Sequence, residues 1–458
     1  MGRGVPLARW LTVLTGTGCL LVPWVSVPLL SGAVAVTLLV LVVAICVSLR
    51  RERAGPDLPV RPLLWLMAAA TLVGSIGVAA MLVTQGVPVA VVAVLVAIVM
   101  VAGVGAVLAK SPPRAGLLLA LGALQVGLVS AVIATGTGVI DVQLFVDGGL
   151  DALAGGQSPY GITIENPYPP HLTEVFYGPG VVQDGRVMYG FPYLPAPLLL
   201  DLPVHLVADV AWMHMAALVA ATALAWRMTT DRLGRAAVLV LGLSPSTSYV
   251  LLNYWVEALM VGLLALTVWG LLRQKRWATV LGLGLLFSSK QYAVFFLPAV
   301  WSVVRRSGWG ALVWAAALGS IVVGAFVLMD PHAFYRSVVE LQFKQPFRDD
   351  AISLLPGLRA AVGDFPGWAL GVLPFVGLGV SAFVTVRTKA GPTAFSLSVA
   401  LGLLASVLFS KVGFVNYFLF IGSALLLAGV TWAEDDPLQM REPSSQGSRG
   451  ARGISNTR

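Results

Sequence analysis

Residues 87–109 read VPVAVVAVLVAIVMVAGVGAVLA, a run of 23 positions without a charged side chain. A helix needs about 20 consecutive, mostly apolar residues to cross the hydrocarbon core of a bilayer. Runs of this kind recur along nearly the whole chain, and the alternating pattern of a membrane barrel is absent from the sequence. The sequence therefore predicts an all-α, polytopic helical membrane protein.

Composition and charge distribution support the same fold class. The chain has 458 residues, of which 58% are hydrophobic and 11% charged, whereas soluble domains carry about 25% charged residues. The formal net charge is +8, but the cations stand in short clusters between apolar runs, as in the cytoplasmic loops of membrane proteins. This distribution argues against a nucleic-acid partner. Both cysteines, Cys19 and Cys46, lie in apolar runs, which excludes a disulfide framework.

The cationic clusters set the topology, because lysine and arginine concentrate in cytoplasmic loops. They place both chain ends in the cytoplasm and predict about 14 crossings. The segment between the first long outer loop and the cluster around Arg232 is long enough for one crossing, so the helix with Asp201 and His205 is expected to lie along the outer membrane surface. The predicted spans cover about 8–29, 31–49, 62–83, 87–109, 115–135, 211–227, 236–252, 256–272, 310–329, 367–386, 391–409 and 413–432, with a tight two-crossing hairpin over 277–304.

This topology divides the chain into three regions. Residues 1–114 form an N-terminal four-helix membrane region, residues 115–432 form a second membrane module, and residues 433–458 are a polar tail predicted to be disordered and cytoplasmic. The second module has two long outer loops, 136–190 and 330–365. Because binding and catalytic residues concentrate on loops carried by a rigid scaffold, function is expected on this outer face.

The first outer loop opens with IDVQLFVDGGLDALAGGQSPY at residues 140–160. If this stretch is a helix, Asp141 and Phe145 share one face. Asp147 and Asp151 share another, and their repulsion favours a water-facing position. Asp141 lies within a few residues of the predicted end of a span, where an unpaired anion is costly. It is either a solvated carboxylate at a helix N-terminus or a functional group.

Four motifs follow one another in the second module. Asp141 stands after an early span, Phe145 follows four positions later, and the pattern Ala-Leu-X-Gly-Gly-X-X-Pro-Tyr ends at Tyr160. The other motifs are FPYLPAPL at 191–198, LGLGLLFSSK at 281–290 and LFSKVGFVNY at 408–417. Over about 115–432, their order resembles that of GT-C membrane glycosyltransferases, and most nearly glycosyltransferase family 87, the actinobacterial enzymes that use polyprenyl-phosphate sugars. The chain departs from the pattern in having Tyr-Leu-Pro for Tyr-Pro-Pro and four spans before the matching region.

The resemblance implies a hexosyltransferase of the GT-C type in the plasma membrane, with juxtamembrane loops and the active site on the extracytoplasmic face. It implies that Asp141 is the general base of an inverting transfer from polyprenyl phosphate. Such a base accelerates a reaction by about 10²–10⁴-fold, and no second acid is needed because a lipid phosphate already leaves well. Mannose is the first sugar implied and arabinofuranose the second. The implied acceptor is a lipid, a glycan or a peptide.

A leaving phosphate is best stabilised by cations that are already in place. The outer-face candidates are Lys290 and Lys411 near span ends, and Lys344 and Arg348 in the second long loop. For the two span-end lysines the alternative is snorkelling towards lipid headgroups, and for the two loop residues it is contact with the membrane surface. Both alternatives stay open.

The remaining substrate-binding candidates are uncharged or acidic. Asn253 and Glu257 are one helical turn apart, so they bind sugar hydroxyls, satisfy each other or satisfy the helix terminus. His171 contacts donor or acceptor, or is simply solvated. The motifs add four more candidates, Tyr160, Gln291, Asn416 and Tyr417.

No cofactor is expected, since Walker, dinucleotide and nucleophile-elbow motifs are absent from the sequence. The histidines show no zinc-binding spacing, so no metal site is predicted, although a loosely bound divalent ion stays open. The expected partners are a polyprenyl-phosphate-linked sugar, an acceptor and membrane lipids. The rival hypotheses are a lipid or solute transporter or flippase, and a noncatalytic membrane scaffold.

Overall fold

The described part of the chain folds mostly into helices, as a computed structural model shows. The predicted span 115–135, the start of the first long loop and nearly all of the predicted disordered tail lie outside the described residues. The structure describes residues 5–21, 28–50, 57–84, 88–108 and 140–433.

The N-terminal region contains long apolar helices, as predicted. A short antiparallel pairing of β1 (Val5–Pro6) with β2 (Asp57–Leu58) joins the start of the first helix to the segment before the third. The helices are α1 (Leu7–Cys19), α2 (Pro28–Arg50), α3 (Val60–Thr84) and α4 (Val89–Leu108).

The first long loop forms a small folded layer. Three strands, β3 (Ile164–Glu165), β4 (Val182–Gln183) and β5 (Arg186–Val187), pair in the order β3-β5-β4. Asp184-Gly185 makes the turn between β4 and β5, with positive φ at both residues (48° and 74°). Positive φ at both positions is typical of a two-residue hairpin turn. Asp-Gly and Asn-Gly sequences favour this turn. The elements are α5 (Asp141–Ala154), β3 (Ile164–Glu165), α6 (Pro170–Phe176), β4 (Val182–Gln183), β5 (Arg186–Val187) and α7 (Ala196–His205).

The predicted span 236–252 consists of two helices rather than one. The break falls at Ser244-Pro245, because proline has no N–H for a helix interior and is favoured at a helix start. The Ser244 hydroxyl accepts a bond from the backbone N–H of Ser246 (3.1 Å) and caps the second helix. The helices of this middle part are α8 (Ala211–Met228), α9 (Arg232–Gly242), α10 (Pro245–Leu252), α11 (Glu257–Leu272), α12 (Arg276–Phe287), α13 (Val300–Ser307) and α14 (Trp309–Met329), with a 3₁₀ segment at Gln291–Ala299.

The second long loop and the C-terminal helices complete the fold. The loop is helical over α15 (Pro331–Tyr335), a π segment (Arg336–Glu340), α16 (Leu341–Lys344) and α17 (Leu355–Val362). The C-terminal helices are α18 (Gly367–Val372), a 3₁₀ turn (Leu373–Phe375), α19 (Val376–Arg387), α20 (Pro392–Leu408) and α21 (Val415–Thr431).

Helices α20 and α21 form the centre of the bundle. Every residue of α20 and nearly every residue of α21 is buried, as expected for helices that are apolar on all sides. In α14, by contrast, large apolar side chains such as Trp314, Ile321 and Leu328 are exposed. Exposed apolar surface of this kind suits contact with lipid.

Three segments of the described residues are long and apolar enough to cross a membrane: Ser31–Arg50, Trp309–Met329 and Gly367–Arg387. Five shorter apolar helices accompany them. The structure therefore confirms a mostly helical protein with segments long and apolar enough to span a membrane, whereas the count of about 14 crossings stays a prediction. The shorter apolar helices cover Val60–Val73, Glu257–Leu272, Arg276–Phe287, Pro392–Leu408 and Val415–Thr431.

The first helix is fixed to the C-terminal part of the bundle. The buried guanidinium of Arg9 donates to the carboxylate of Asp231 (Nη2–Oδ1 2.9 Å) and to the carbonyl oxygen of Gly429 (3.0 Å). Asp231 also caps α9 by accepting from the backbone N–H of Gly234 (2.8 Å). One ion pair thus joins α1, α9 and α21.

The two long loops and the tip of the predicted hairpin around Gln291 meet at one end of the bundle. The two long loops are joined by a bond from the backbone N–H of Gly190 to the Ser337 hydroxyl (2.9 Å). The Gln291 amide donates to the carbonyl oxygens of Pro192 (2.7 Å) and Val338 (2.8 Å), which ties the hairpin tip to both loops. A second hydrophobic cluster, separate from the main bundle core, holds this layer together.

Candidate functional site

Asp141 begins α5 and is held by three hydrogen bonds. The hydroxyl of Tyr168 (3.0 Å) and the backbone N–H of Val142 (2.8 Å) donate to Oδ1, and the hydroxyl of Tyr177 donates to Oδ2 (2.9 Å). The helix cap itself is Ile140, in an extended conformation. Asp141 is therefore a partly buried, fixed carboxylate, and the alternative of a solvated cap does not describe it.

The environment of Asp141 shifts its proton affinity. Burial raises the pKa of this carboxyl, while the bonds from Tyr177, Tyr168 and Val142 and the positive charge of Arg348 lower it. Burial prevails, so the pKa of Asp141 lies above its ordinary value. A carboxylate with a raised pKa is a stronger base than aspartate in water.

Tyr168 and Tyr177 bracket the short helix α6 and were not predicted from the sequence. The Tyr168 ring stacks on Phe176, with ring centroids 3.8 Å apart and planes 10° from parallel. Burial and the charge of Asp141 raise the pKa of both hydroxyls, so they remain proton donors. In the sequence, the only feature that points to these two tyrosines is that each stands next to a proline or a glycine in the first loop. The contacts span 27 and 36 residues, which spacing alone does not reveal.

Arg348 lies on the same side of the site as Asp141, because its guanidinium packs on Phe176, the ring that stacks on Tyr168. Its guanidinium carbon is 4.5 Å from the ring centroid of Phe176 and 4.7 Å from that of Phe414, a cation–π arrangement. Its Nε and Nη2 donate to Asp350 (2.8 and 2.6 Å). The guanidinium thus lies between the first loop and the start of the last helix.

Lys411 lies on the same side of the site, because its carbonyl oxygen accepts from the backbone N–H of Arg348 (3.1 Å). Its ammonium donates to the carbonyl oxygens of Phe343 (3.3 Å) and Gln345 (2.5 Å). Burial lowers the pKa of Lys411. Within the described part of the chain, this ammonium bonds carbonyl groups and no carboxylate, so its positive charge can attract an anion.

A second group of predicted residues meets around Glu257. The buried Lys290 ammonium lies 2.6 Å from Glu257 Oε1, and the Asn416 amide donates to the same oxygen (2.8 Å). The Lys290 nitrogen is 4.3 Å from the ring centroid of Tyr193 and 5.1 Å from that of Tyr417. The motifs at 191–198, 281–290 and 408–417 are therefore neighbours in space.

The two groups meet at the start of α21. The guanidinium carbon of Arg348 is 4.7 Å from the ring centroid of Phe414, and Asn416, two residues later, donates to Glu257 (2.8 Å). Tyr193, whose ring lies against the Lys290 ammonium, accepts from the Tyr160 hydroxyl through its carbonyl oxygen (3.1 Å). The Asp141 group and the Glu257 group thus belong to one continuous site.

The comparison with known families now bears on this site. Residues 191–410 match the family model of glycosyltransferase family 87. The match indicates a glycosyltransferase and confirms the resemblance that the sequence motifs carry. No curated protein and no solved structure gives a significant match to the chain.

The family 87 region, residues 191–410, contains only part of the site. Glu257, Lys290 and Arg348 lie inside it, whereas Asp141 and Asn416 lie outside. The role of Asp141 therefore rests on the motif resemblance and on its geometry. Together with the candidate spans, the match indicates a membrane glycosyltransferase.

Three other predicted residues of the family 87 region make structural contacts. Gln291 joins the two loops, as described above. Lys344 pairs with Glu340 (3.2 Å) on the half-exposed surface. The Asn253 amide donates to the carbonyl oxygen of Tyr249 (2.7 Å), so it closes the end of α10 instead of contacting Glu257.

Two predicted residues outside the family 87 region differ in exposure. Tyr160 is buried, with its ring centroid 4.7 Å from that of Phe334, so its contacts are those of a core residue. His171 lies exposed on α6. Among the residues that the structure describes, no hydrogen bond or ion pair joins His171 or Asn253 to the Asp141 group or the Glu257 group.

Of the two aspartates predicted to face water, Asp147 and Asp151, only Asp151 is exposed. Its carboxylate bonds His205 (2.9 Å). Asp147 is half-buried, and burial followed by the charge of Asp209 raises its pKa to about 6. Within the described ranges, no group of three or more histidine, cysteine, aspartate or glutamate side chains is placed to hold a metal ion.

Proposed function

We propose that the protein transfers a hexose, with mannose as the first candidate, from polyprenyl phosphate to an acceptor at the extracytoplasmic membrane face. One observation carries this proposal: the carboxylate of Asp141 is fixed by Tyr168 and Tyr177, and the guanidinium of Arg348 packs on Phe176, the ring that stacks on Tyr168. A base and an anion-binding group in one site suit transfer from a phosphate-linked donor.

The chemistry is a single displacement. A sugar hydroxyl is a poor nucleophile at neutral pH, so a base must accept its proton as its oxygen bonds to the anomeric carbon. Asp141 accepts that proton, and the bond from the anomeric carbon to the phosphate oxygen breaks at the same time. The configuration at the anomeric carbon is inverted. Retaining hydrolases, by contrast, use two carboxylates at close range.

The leaving phosphate is assigned to Arg348 and Lys411. Lys290 is less suited, because Glu257 already balances its charge in a buried pair and breaking such a pair is costly. The partner of Arg348 is different: Asp350 is 58% exposed, and exposed pairs are weak. A phosphate can therefore replace Asp350 on the guanidinium.

The experiment is label transfer in membranes that contain the protein. Polyprenyl phosphate carrying radiolabelled mannose is supplied to wild type, Asp141→Asn and the matched control Asp151→Asn, at equal expression. Wild type and the control are expected to transfer label. The rate of transfer by Asp141→Asn is expected to be at least about 100-fold lower. Equal transfer by Asp141→Asn overturns the assignment of the base and makes Asp147 the next candidate. No transfer by wild type from either a mannose or an arabinofuranose donor overturns the proposed reaction and favours the transporter.

A further inference from the structure

We propose that Tyr168 and Tyr177 are positioning residues that hold Asp141 ionised and aimed at the acceptor hydroxyl. This inference rests on the proposed function, in which Asp141 accepts the proton. Neither tyrosine lies in the family 87 region, and neither belongs to the motifs that predicted the site.

The first step is geometric. An ionised carboxylate has about four acceptor positions on its two oxygens. One tyrosine hydroxyl occupies a position on Oδ1 and the other a position on Oδ2, while Val142 N–H takes a further position on Oδ1. With both oxygens held, rotation of the carboxylate is restricted, and one acceptor position on Oδ2 remains for the acceptor hydroxyl.

The second step is electrostatic. Burial alone favours a protonated Asp141, which would donate a hydrogen bond to the acceptor instead of accepting its proton. The groups that oppose burial are the two tyrosine hydroxyls, Val142 N–H and the charge of Arg348. The nearby Tyr193 is neutral, so it adds no charge. The tyrosines stay protonated, since their own pKa values are raised, and they stabilise the ionised carboxylate at every working pH.

The third step is rigidity. Tyr168 is stacked on Phe176, and the guanidinium of Arg348 covers the same phenylalanine. Asn166 accepts from the backbone N–H of Tyr168 (3.2 Å) and donates to Thr173 on α6 (2.8 Å). Both donors are therefore held by the short helix that they flank, which is the arrangement a positioning role requires.

The test compares Tyr168→Phe, Tyr177→Phe and the double variant with wild type, because phenylalanine keeps the ring and removes only the donor. The matched control is Tyr254→Phe, whose hydroxyl donates to Asp209 in the same layer (2.5 Å). The kcat and KM of label transfer are measured from pH 4 to pH 9. Asp141→Asn is included as the reference for loss of the base.

Each single variant is expected to lower kcat at neutral pH by about tenfold, with KM nearly unchanged. The acidic limb of the pH profile is expected to move to higher pH, further in the double variant, since removing donors raises the pKa of Asp141. Tyr254→Phe is expected to leave the limb in place. A limb that stays in place in both tyrosine variants, while Asp141→Asn is inactive, overturns the positioning role and leaves the proposed function intact. Full activity of Asp141→Asn overturns the proposed base itself.

Discussion

At the scale of single residues, Asp141, the proposed base, is expected to make transfer sensitive to acid. Its pKa is raised above that of an ordinary aspartate, about 3.9, mainly by burial. Only the ionised form accepts a proton, so activity is present above the pKa and is lost as the pH falls through it. The rate of label transfer at saturating donor is expected to show an acidic limb clearly above pH 4. A limb at or below that value would show that another group titrates.

Arg348 is expected to bind the donor phosphate through both charge and shape. Arg348→Ala removes the charge, and Arg348→Lys keeps it but loses the flat group between Phe176 and Phe414. The KM for the donor is expected to rise about tenfold or more in Arg348→Ala and less in Arg348→Lys.

The control for Arg348 is Arg359→Ala. This arginine also lies over a phenylalanine, Phe347, and pairs with two aspartates, but it is on the exposed loop surface. Its replacement is expected to leave the donor KM unchanged. An equal rise in both variants would mean that general loop charge, rather than the position of Arg348, attracts the donor.

At the scale of elements, the Lys290–Glu257 pair joins the hairpin tip to the start of α11, and Asn416 adds the start of α21. Removing one partner leaves a buried charge unpaired, which costs about 3–5 kcal/mol. Lys290→Met is therefore expected to lower the thermal unfolding temperature strongly in detergent. The double variant Lys290→Met with Glu257→Gln is expected to recover much of the loss, since it leaves no buried charge.

The matched control for Lys290 is Lys344→Met, whose partner Glu340 is on the half-exposed surface. This replacement is expected to change the unfolding temperature little. A double variant as unstable as Lys290→Met alone would mean that packing, rather than the unpaired charge, holds these elements together.

Helices were predictable from the sequence where residues close by in the chain determine their boundaries. The predicted spans 211–227 and 310–329 correspond to helices at Ala211–Met228 and Trp309–Met329, because polar or charged residues mark where an apolar run ends. The sequence analysis predicted one span over 236–252 and did not predict the break at Pro245, although proline explains it physically. The three-stranded hairpin layer was also missed, since strands of two residues leave no periodic pattern.

The site was predictable only in part. The motifs identified Asp141, Lys290 and Asn416, but not how they pair. Glu257 was considered with Asn253, its neighbour one turn away, whereas its actual partner is Lys290, 33 residues later. Likewise, the tyrosines that hold Asp141 are distant in sequence. Such contacts depend on tertiary packing, which helical spacing does not encode.

At the scale of the whole molecule, both long loops and the hairpin tip lie at one end of the bundle, while Arg9 and Asp231 belong to clusters predicted in the cytoplasm. Reporter fusions that are active only outside the cytoplasm are therefore expected to be active at residues 165 and 345 and inactive at residue 230. Opposite signals at 165 and 345 would contradict the packing of the two loops. A reporter that is active at residue 230 and inactive at residues 165 and 345 would mean that the true topology is the reverse of the predicted one.

The way in which the second loop is attached has a consequence for how such a protein can diversify. Three main-chain bonds, Arg348 N to Lys411 O, Ile352 N to Gly413 O and Leu354 N to Leu408 O (3.1, 2.9 and 2.9 Å), fasten it beside the proposed site. Main-chain bonds do not depend on side-chain identity. Substitutions between residues 348 and 354 can therefore change the side chains of this segment while its backbone stays in place, whereas a single insertion there would displace Arg348. The length of this segment is therefore expected to tolerate less change than its sequence.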